Sequence, residues 1–454
     1  MKNARKCKMG DCSIDDFGAT SIDLYTLQIL FEHDIDIDEF FKTAASVALV
    51  PLRDDVVASN SEHWAQKTTS IVCNGPFAIK EIEYTKRLRI ERNAYYKRNV
   101  EENERLDKYV IPWRIVTHYS YGDLEEQYNL FNKNSLFYLG TIPLSKRAEE
   151  AKHATVSDEL ATHTYVFNLN NDLFKDARVR QALSMAIDRN EIVNLVTFAR
   201  PATGLIPLGV DDANGKGDFR ETADKSGVLV NSTADLEGAK KLLKEAKVSG
   251  GSFDLSIKDN EQDIAIAEYV AGVWKQLGFK VNVKKVVGTR SKKIEKAFDD
   301  NFNIAYQNGD YDVIAIDMNM LTTNAYSELA LFATDFAGGG VDMHTKSYDV
   351  NGVINGYENK EYNELIEKVF TSTDSAERTA LLHEAEAKLI ADMPVMPIIF
   401  LQDAYLINSK VLSGEKDTIL GTRDFSKLKM KNYMSIKEQI LAAEAEEQGK
   451  TLTD

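Results

Sequence analysis

The stretch Thr164–Val193, TYVFNLNNDLFKDARVRQALSMAIDRNEIV, leaves this chain the fewest options for folding. Tyr165-Val166-Phe167-Asn168-Leu169 is a short β-branched and aromatic run, and it predicts a strand. Asn170, Asn171 and Asp172 are turn formers that end it. Apolar residues then recur at Val179, Leu183, Ala186 and Ile187, and after Asp188 at Ile192, Val193 and Val196. These are helical spacings, so two consecutive helices follow, the second capped by the side chain of Asp188. The unit carries no catalytic group.

The chain on either side continues in the same style. Ala239, Leu242, Leu243 and Ala246 share one face of a helix expected over Asp235–Ala246. Strand Phe253–Ile257, helix Ile264–Leu277, a C-cap at Gly278 and strand Phe279–Val283 then imply a right-handed crossover between parallel strands. Asp310–Asp317 is an apolar run with polar ends, expected as a buried strand. Amphipathic helices are expected at Tyr362–Phe370 and Ala376–Ile390, followed by a strand over Met393–Phe400. Upstream, Thr20–Phe31 alternates as a strand, Ile37–Ala48 reads as a helix, and Gly75-Pro76 turns the chain into a hairpin that Lys86–Asn93 closes. A strand at Tyr109–Val116 and a helix at Leu124–Phe131 follow. Ala213–Ser232 is a polar loop, and Gly338-Gly339-Gly340 lies in another. The Glu- and Ala-rich tail from Ser435 is expected to fray into solvent.

At 454 residues the chain exceeds one ordinary core, so two or more lobes are expected. A net charge of −16 argues against a nucleic-acid surface, which needs clustered positive charge. Three cysteines, Cys7, Cys12 and Cys73, argue against both a disulfide framework and a zinc site. The seven histidines, among them His163 and His383, lack metal-site spacing and read as surface or core residues. No nucleophile elbow, Walker loop or dinucleotide fingerprint is present, so neither an enzyme nor a cofactor is expected. The opening MKNARKCKMGDC has charges but no apolar core, so no signal peptide is read there.

The run Phe174-x-Asp176-x-Arg178-Val179-Arg180-Gln181-Ala182-Leu183-Ser184-x-Ala186-Ile187-Asp188-Arg189 resembles the signature of family 5 extracellular solute-binding proteins. Arg200–Pro207, Asn74–Glu81 and Met393–Phe400 are similar to further elements of that family. The resemblance implies a periplasmic-binding-protein-like α/β fold of type II, two lobes around a ligand cleft, with part of the N-terminal lobe missing. On that template residues 1–70 are a remnant of the N-terminal lobe and 71–164 a core segment of lobe I. Residues 165–400 are the C-terminal lobe, 401–435 return to lobe I, and 436–454 are an acidic tail.

The same resemblance implies what the protein does. It is expected to capture an oligopeptide or dipeptide by lobe closure and hand it to the permease subunits of an ABC transporter. It would work as a monomer, in the periplasm or at the outer face of the membrane. Receptors for nickel, heme or an oligosaccharide are the alternatives within the family, and a non-functional fragment is another. In peptide-binding relatives an acidic residue at a strand end holds the ligand's amino terminus; that position falls on Leu321, and Asp317 is the expected substitute. Tyr165 and Phe400 correspond to groove positions, and Met318 and Asn319 flank Asp317, so these five residues are the expected ligand contacts.

Overall fold

The computed structural model describes the chain except residues 36, 60–63, 67, 70, 94, 95, 97–109, 213, 214, 291–297, 339–352, 354, 419, 433, 437, 440, 441 and 443–454. Most of the acidic tail, most of the triple-glycine loop and the first residue of the strand expected at Tyr109 lie outside the described residues. The chain forms two units. Unit 1 comprises Met1–Pro51, Asp158–Arg290 and Phe298–Gln402; unit 2 comprises Leu52–Ser157, Ser291–Ala297 and Asp403–Asp454.

In unit 1 the N-terminal segment carries helix α1 (Ala4–Lys8), strands β1 (Ala19–Ser21) and β2 (Leu27–Ile29), and helix α2 (Ile37–Ala44). Thr20–Phe31 is therefore a hairpin where one strand was expected. Asp23 is the reason: its carboxylate accepts from Tyr25 N at 2.8 Å and Thr26 Oγ1 at 2.9 Å, closing a turn. Cys7 and Cys12 form a disulfide, which corrects the expectation from their odd count. The count missed it because Cys73 is simply left over as a free thiol.

This segment packs with Asp158–Gln402, whereas the family template assigned residues 1–70 to the other lobe. Charge and aromatic contacts hold it there. Arg5 pairs with Asp335 at 2.8 Å and Glu367 at 2.7 Å, its guanidinium 4.3 Å from the centre of the Phe336 ring. Lys42 pairs with Asp211 at 2.7 Å.

Unit 2 holds a three-stranded antiparallel sheet, β3 (Phe77–Glu83), β4 (Arg87–Arg92) and β5 (Arg114–His118), the first two being the expected hairpin. It also holds the short strand β6 (Tyr138–Leu139). The main sheet of unit 1 begins with β7 (Thr155–Phe167), β8 (Ala199–Pro201), β9 (Gly251–Lys258) and β10 (Phe279–Val286). It is completed by β11 (Val313–Asn319) and β12 (Val395–Ile407). The order is β10-β9-β11-β7-β12, with β8 on β12. β9 runs parallel to β10 and β11, while β11 runs antiparallel to β7. β7 and β12 each span 13 residues and are longer than their apolar text, because pairing with neighbours carries the polar residues along.

Helices α3 (Ala177–Met185) and α4 (Arg189–Val196) follow β7, as expected. Further along the chain come α5 (Leu236–Glu245), α6 (Glu261–Lys275), α7 (Tyr326–Leu329), α8 (Lys360–Thr371) and α9 (Ser375–Asp392). Arg180 and Arg189 of the signature run are structural clamps, whereas Arg178 is exposed and pairs with Asp176. Arg189, fully buried, donates to Pro397 O at 2.8 Å, Ser184 Oγ at 2.9 Å and Asn231 O at 3.2 Å. Arg180 donates to the carbonyls of Met393, Phe174 and Asp392. Burial pulls the Arg189 guanidinium down to about 9 and that of Arg180 to about 10, and these carbonyls are what make such burial tolerable. Asp188 accepts from Asn190 N at 2.9 Å, the expected cap.

The core beneath is aromatic. Phe167, Phe174, Phe253 and Trp274 form a chain of ring contacts with centroids 5.1 to 5.6 Å apart. Trp274 is wholly buried, and its indole donates to Leu183 O at 2.9 Å, tying α6 to α3. The C-cap of α6 is Gln276 and not the expected Gly278, which instead turns the chain into β10 with φ +91°, a conformation that favours glycine.

Candidate ligand-binding cavity

β11 delivers a loop to one side of unit 1. Met320, just past the strand, donates its N–H to Leu160 O at 2.8 Å, and Thr323 Oγ1 donates to Asp211 at 2.6 Å. The same carboxylate takes Lys42, so Asp211 pins the N-terminal segment and the loop to each other. Between that segment, this loop and the ends of α8 and α9 lies a cavity of about 850 Å³. Its volume is within the roughly 300–1,000 Å³ of small-molecule sites.

The cavity wall is aromatic, with polar groups at its margins. Phe31 meets Phe40 edge-on at 5.0 Å, and His33 meets Phe370 at 5.7 Å. Tyr326, half-buried, adds a phenol whose titration burial pushes up. Glu32 and Asp34 stand on the N-terminal segment, while Ser375 and Arg378 come from the first turn of α9. Glu32 accepts from Asn3 N at 2.8 Å, and Asp374 caps α9 by accepting from Glu377 N at 2.7 Å. The site thus offers carboxylates on one wall and a guanidinium at a helix N-terminus on another. Such a site fits a ligand with apolar groups and charges of both signs.

The five expected contacts lie elsewhere. Tyr165 is wholly buried, its ring 6.0 Å from that of Trp274. Met318 and Phe400 are also in the core. Asp317 is not among the cavity's lining residues and pairs with His163, Nδ1 to Oδ1 at 2.7 Å, with Lys258 3.5 Å from its other oxygen. Burial alone would raise the Asp317 carboxyl, but His163 and then Lys258 outweigh it and hold it at about 2. Asn319 is exposed and donates to Asp317 O at 2.9 Å. Sequence reasoning missed the cavity aromatics because Phe370 sits on an amphipathic helix and Phe31 at a strand end, positions that read as core. Among the described residues, no group of three or more His, Cys, Asp or Glu is placed to hold a metal ion.

An α/β unit with a mixed sheet and an aromatic cavity of this size is an arrangement that could hold a small ligand. The model of the family "Bacterial extracellular solute-binding proteins, family 5 Middle" matches residues 2–340, and the chain belongs to that family. It is 25% identical over 403 residues to the dipeptide-binding protein DppE of Bacillus subtilis, covering 87% of this chain and 67% of that one. It is 24% identical to the oligopeptide-binding protein OppA of the same organism, covering 89% and 69%. The solved oligopeptide ABC transporter substrate-binding domain of Bacillus anthracis superposes with a TM-score of 0.77 at 19% identity, covering 95% of this chain and 79% of that one. Listeria monocytogenes OppA bound to peptide gives 0.76, also at 19% identity with the same coverage.

Proposed function

We propose that the protein is the substrate-binding component of an ABC importer, which captures a short peptide and delivers it to membrane permease subunits. The observation that carries this reading is the family match over most of the chain, whose relatives include dipeptide- and oligopeptide-binding proteins. The cavity supports it. A peptide has a free amine, a free carboxylate and apolar side chains, and the walls offer a partner for each. The task is reversible binding without bond chemistry, carried out by a monomer outside the cytoplasmic membrane. The Cys7–Cys12 disulfide supports that location, since such bonds persist in oxidising compartments. Among the described residues no helix is long and apolar enough to cross a membrane.

The test is calorimetric titration of the full chain with di-, tri- and pentapeptides, with nickel, heme, a maltooligosaccharide and deoxycholate in parallel. Saturable one-to-one binding of peptides alone supports the reading. Binding of one of the other solutes with no peptide response contradicts it.

A further inference from the structure

His163 lies on β7 with its imidazole wholly enclosed. Among the described residues, the groups that act on the ring are Asp317 from β11, Asp263 from α6 and Lys258 from β9, with the Tyr165 ring from its own strand 5.8 Å away. Nδ1 is 2.7 Å from Asp317 Oδ1, while Nε2 is buried with no hydrogen-bond partner among the described residues. Asp263 is itself buried, its carboxyl raised by that burial. The Asp317 carboxylate 2.7 Å from the enclosed imidazole favours the cation, because it turns that contact into a charge-assisted hydrogen bond. Asp317 in turn lies five positions before Thr322, at the end of the strand that delivers the cavity loop.

We infer that His163, as a buried imidazolium, is a positioning residue: through Asp317 it fixes the end of β11 and with it the ligand-contacting loop Met320–Asn324. When the Nε2 proton leaves to solvent, the Nδ1–H···Asp317 hydrogen bond stays but loses its charge assistance, and among the described residues the half-exposed Lys258, at 3.5 Å, is the cationic partner that remains. The strand end is then held less firmly, and the loop that forms one cavity wall opens more often. The inference rests on reading the cavity as the ligand site, but its test involves no ligand. A failure to bind peptide would therefore sink that reading without touching this measurement.

The experiment is hydrogen exchange of the segment Met320–Asn324 in the full chain, corrected for intrinsic exchange, with the His163 ring titration followed by NMR. In the wild type, protection of this segment falls, on the order of tenfold, as pH rises through that titration. In His163→Gln the profile is flat. Asp317→Asn keeps the histidine but removes its partner, and its profile is flat too. A flat wild-type profile, or the same fall in either variant, overturns the inference. Should His163→Gln fail to fold, the wild type and Asp317→Asn alone decide it.

Discussion

His163 and Asp317 stand directly opposite each other across β7 and β11, 154 positions apart in the chain, and their side chains meet at 2.7 Å. Asp317 therefore has a partner inside the protein. Unlike a surface ion pair, this one is closed off on the histidine side, with Asp317 about a quarter exposed. It links the strand through which the chain re-enters unit 1 to the strand that leads to the cavity.

The pair predicts a pH optimum for stability. Although burial would lower it, the His163 value lies above the usual 6.5 because of Asp317 and then Asp263. Its contribution is fully present below 6.5 and is lost as pH rises through the raised value. The Asp317 value drops from 3.8 to about 2, so its contribution is present above 3.8 and is lost as pH falls toward 2. Thermal unfolding should show both contributions intact between about pH 4 and 6.5. The acid limb should be worth about 2 kcal/mol for a shift of this size. In Asp317→Asn the acid limb should flatten. An unchanged acid limb would show that other carboxylates carry it.

Replacing Arg189 should be among the most damaging single changes in the chain. Arg189→Met leaves the carbonyls of Pro397 and Asn231 without their buried donor. The expected loss is about 3 kcal/mol, read as a lower urea midpoint with an unchanged slope. A loss below about 0.5 kcal/mol, typical of surface positions, would contradict the clamp.

The disulfide predicts a local effect. Cys7→Ser reopens a loop with a sequence separation of 5, for which chain entropy suggests about 2 kcal/mol. Exchange should rise in residues 2–18, while the β7–β12 sheet keeps its protection. A uniform rise would mean that the segment and the sheet unfold together.

Much of unit 1 was legible in the sequence. The strand before the signature run, the two helices with the Asp188 cap on the second, and the parallel β9–α6–β10 unit follow from local period and one cap, which act within a few residues. What was not legible depends on distance along the chain. Met1–Pro51 is placed by Arg5 reaching Glu367 and Lys42 reaching Asp211, which no local pattern encodes. Tyr165 and Phe400 were expected in a groove and are buried; an aromatic on a strand reads the same in either place until the sheet neighbours are known. Arg180 and Arg189 of the signature run helped to mark the family but gave no sign that they point inward.

The cavity predicts which side chains control affinity. Phe370→Ala should weaken peptide binding about tenfold, near 1.4 kcal/mol, while Trp113→Ala, on the exposed surface of unit 2, should leave it unchanged. Equal affinities in the two variants would place the ligand elsewhere.

The most direct test is native mass spectrometry of the full chain incubated with an equimolar pool of di- to hexapeptides. Bound species would be released and sequenced, in the wild type and in Phe370→Ala. The account predicts a one-to-one complex with short peptides, depleted in the variant. No retained peptide in the wild type, or retention identical in both proteins, would contradict peptide capture at this cavity.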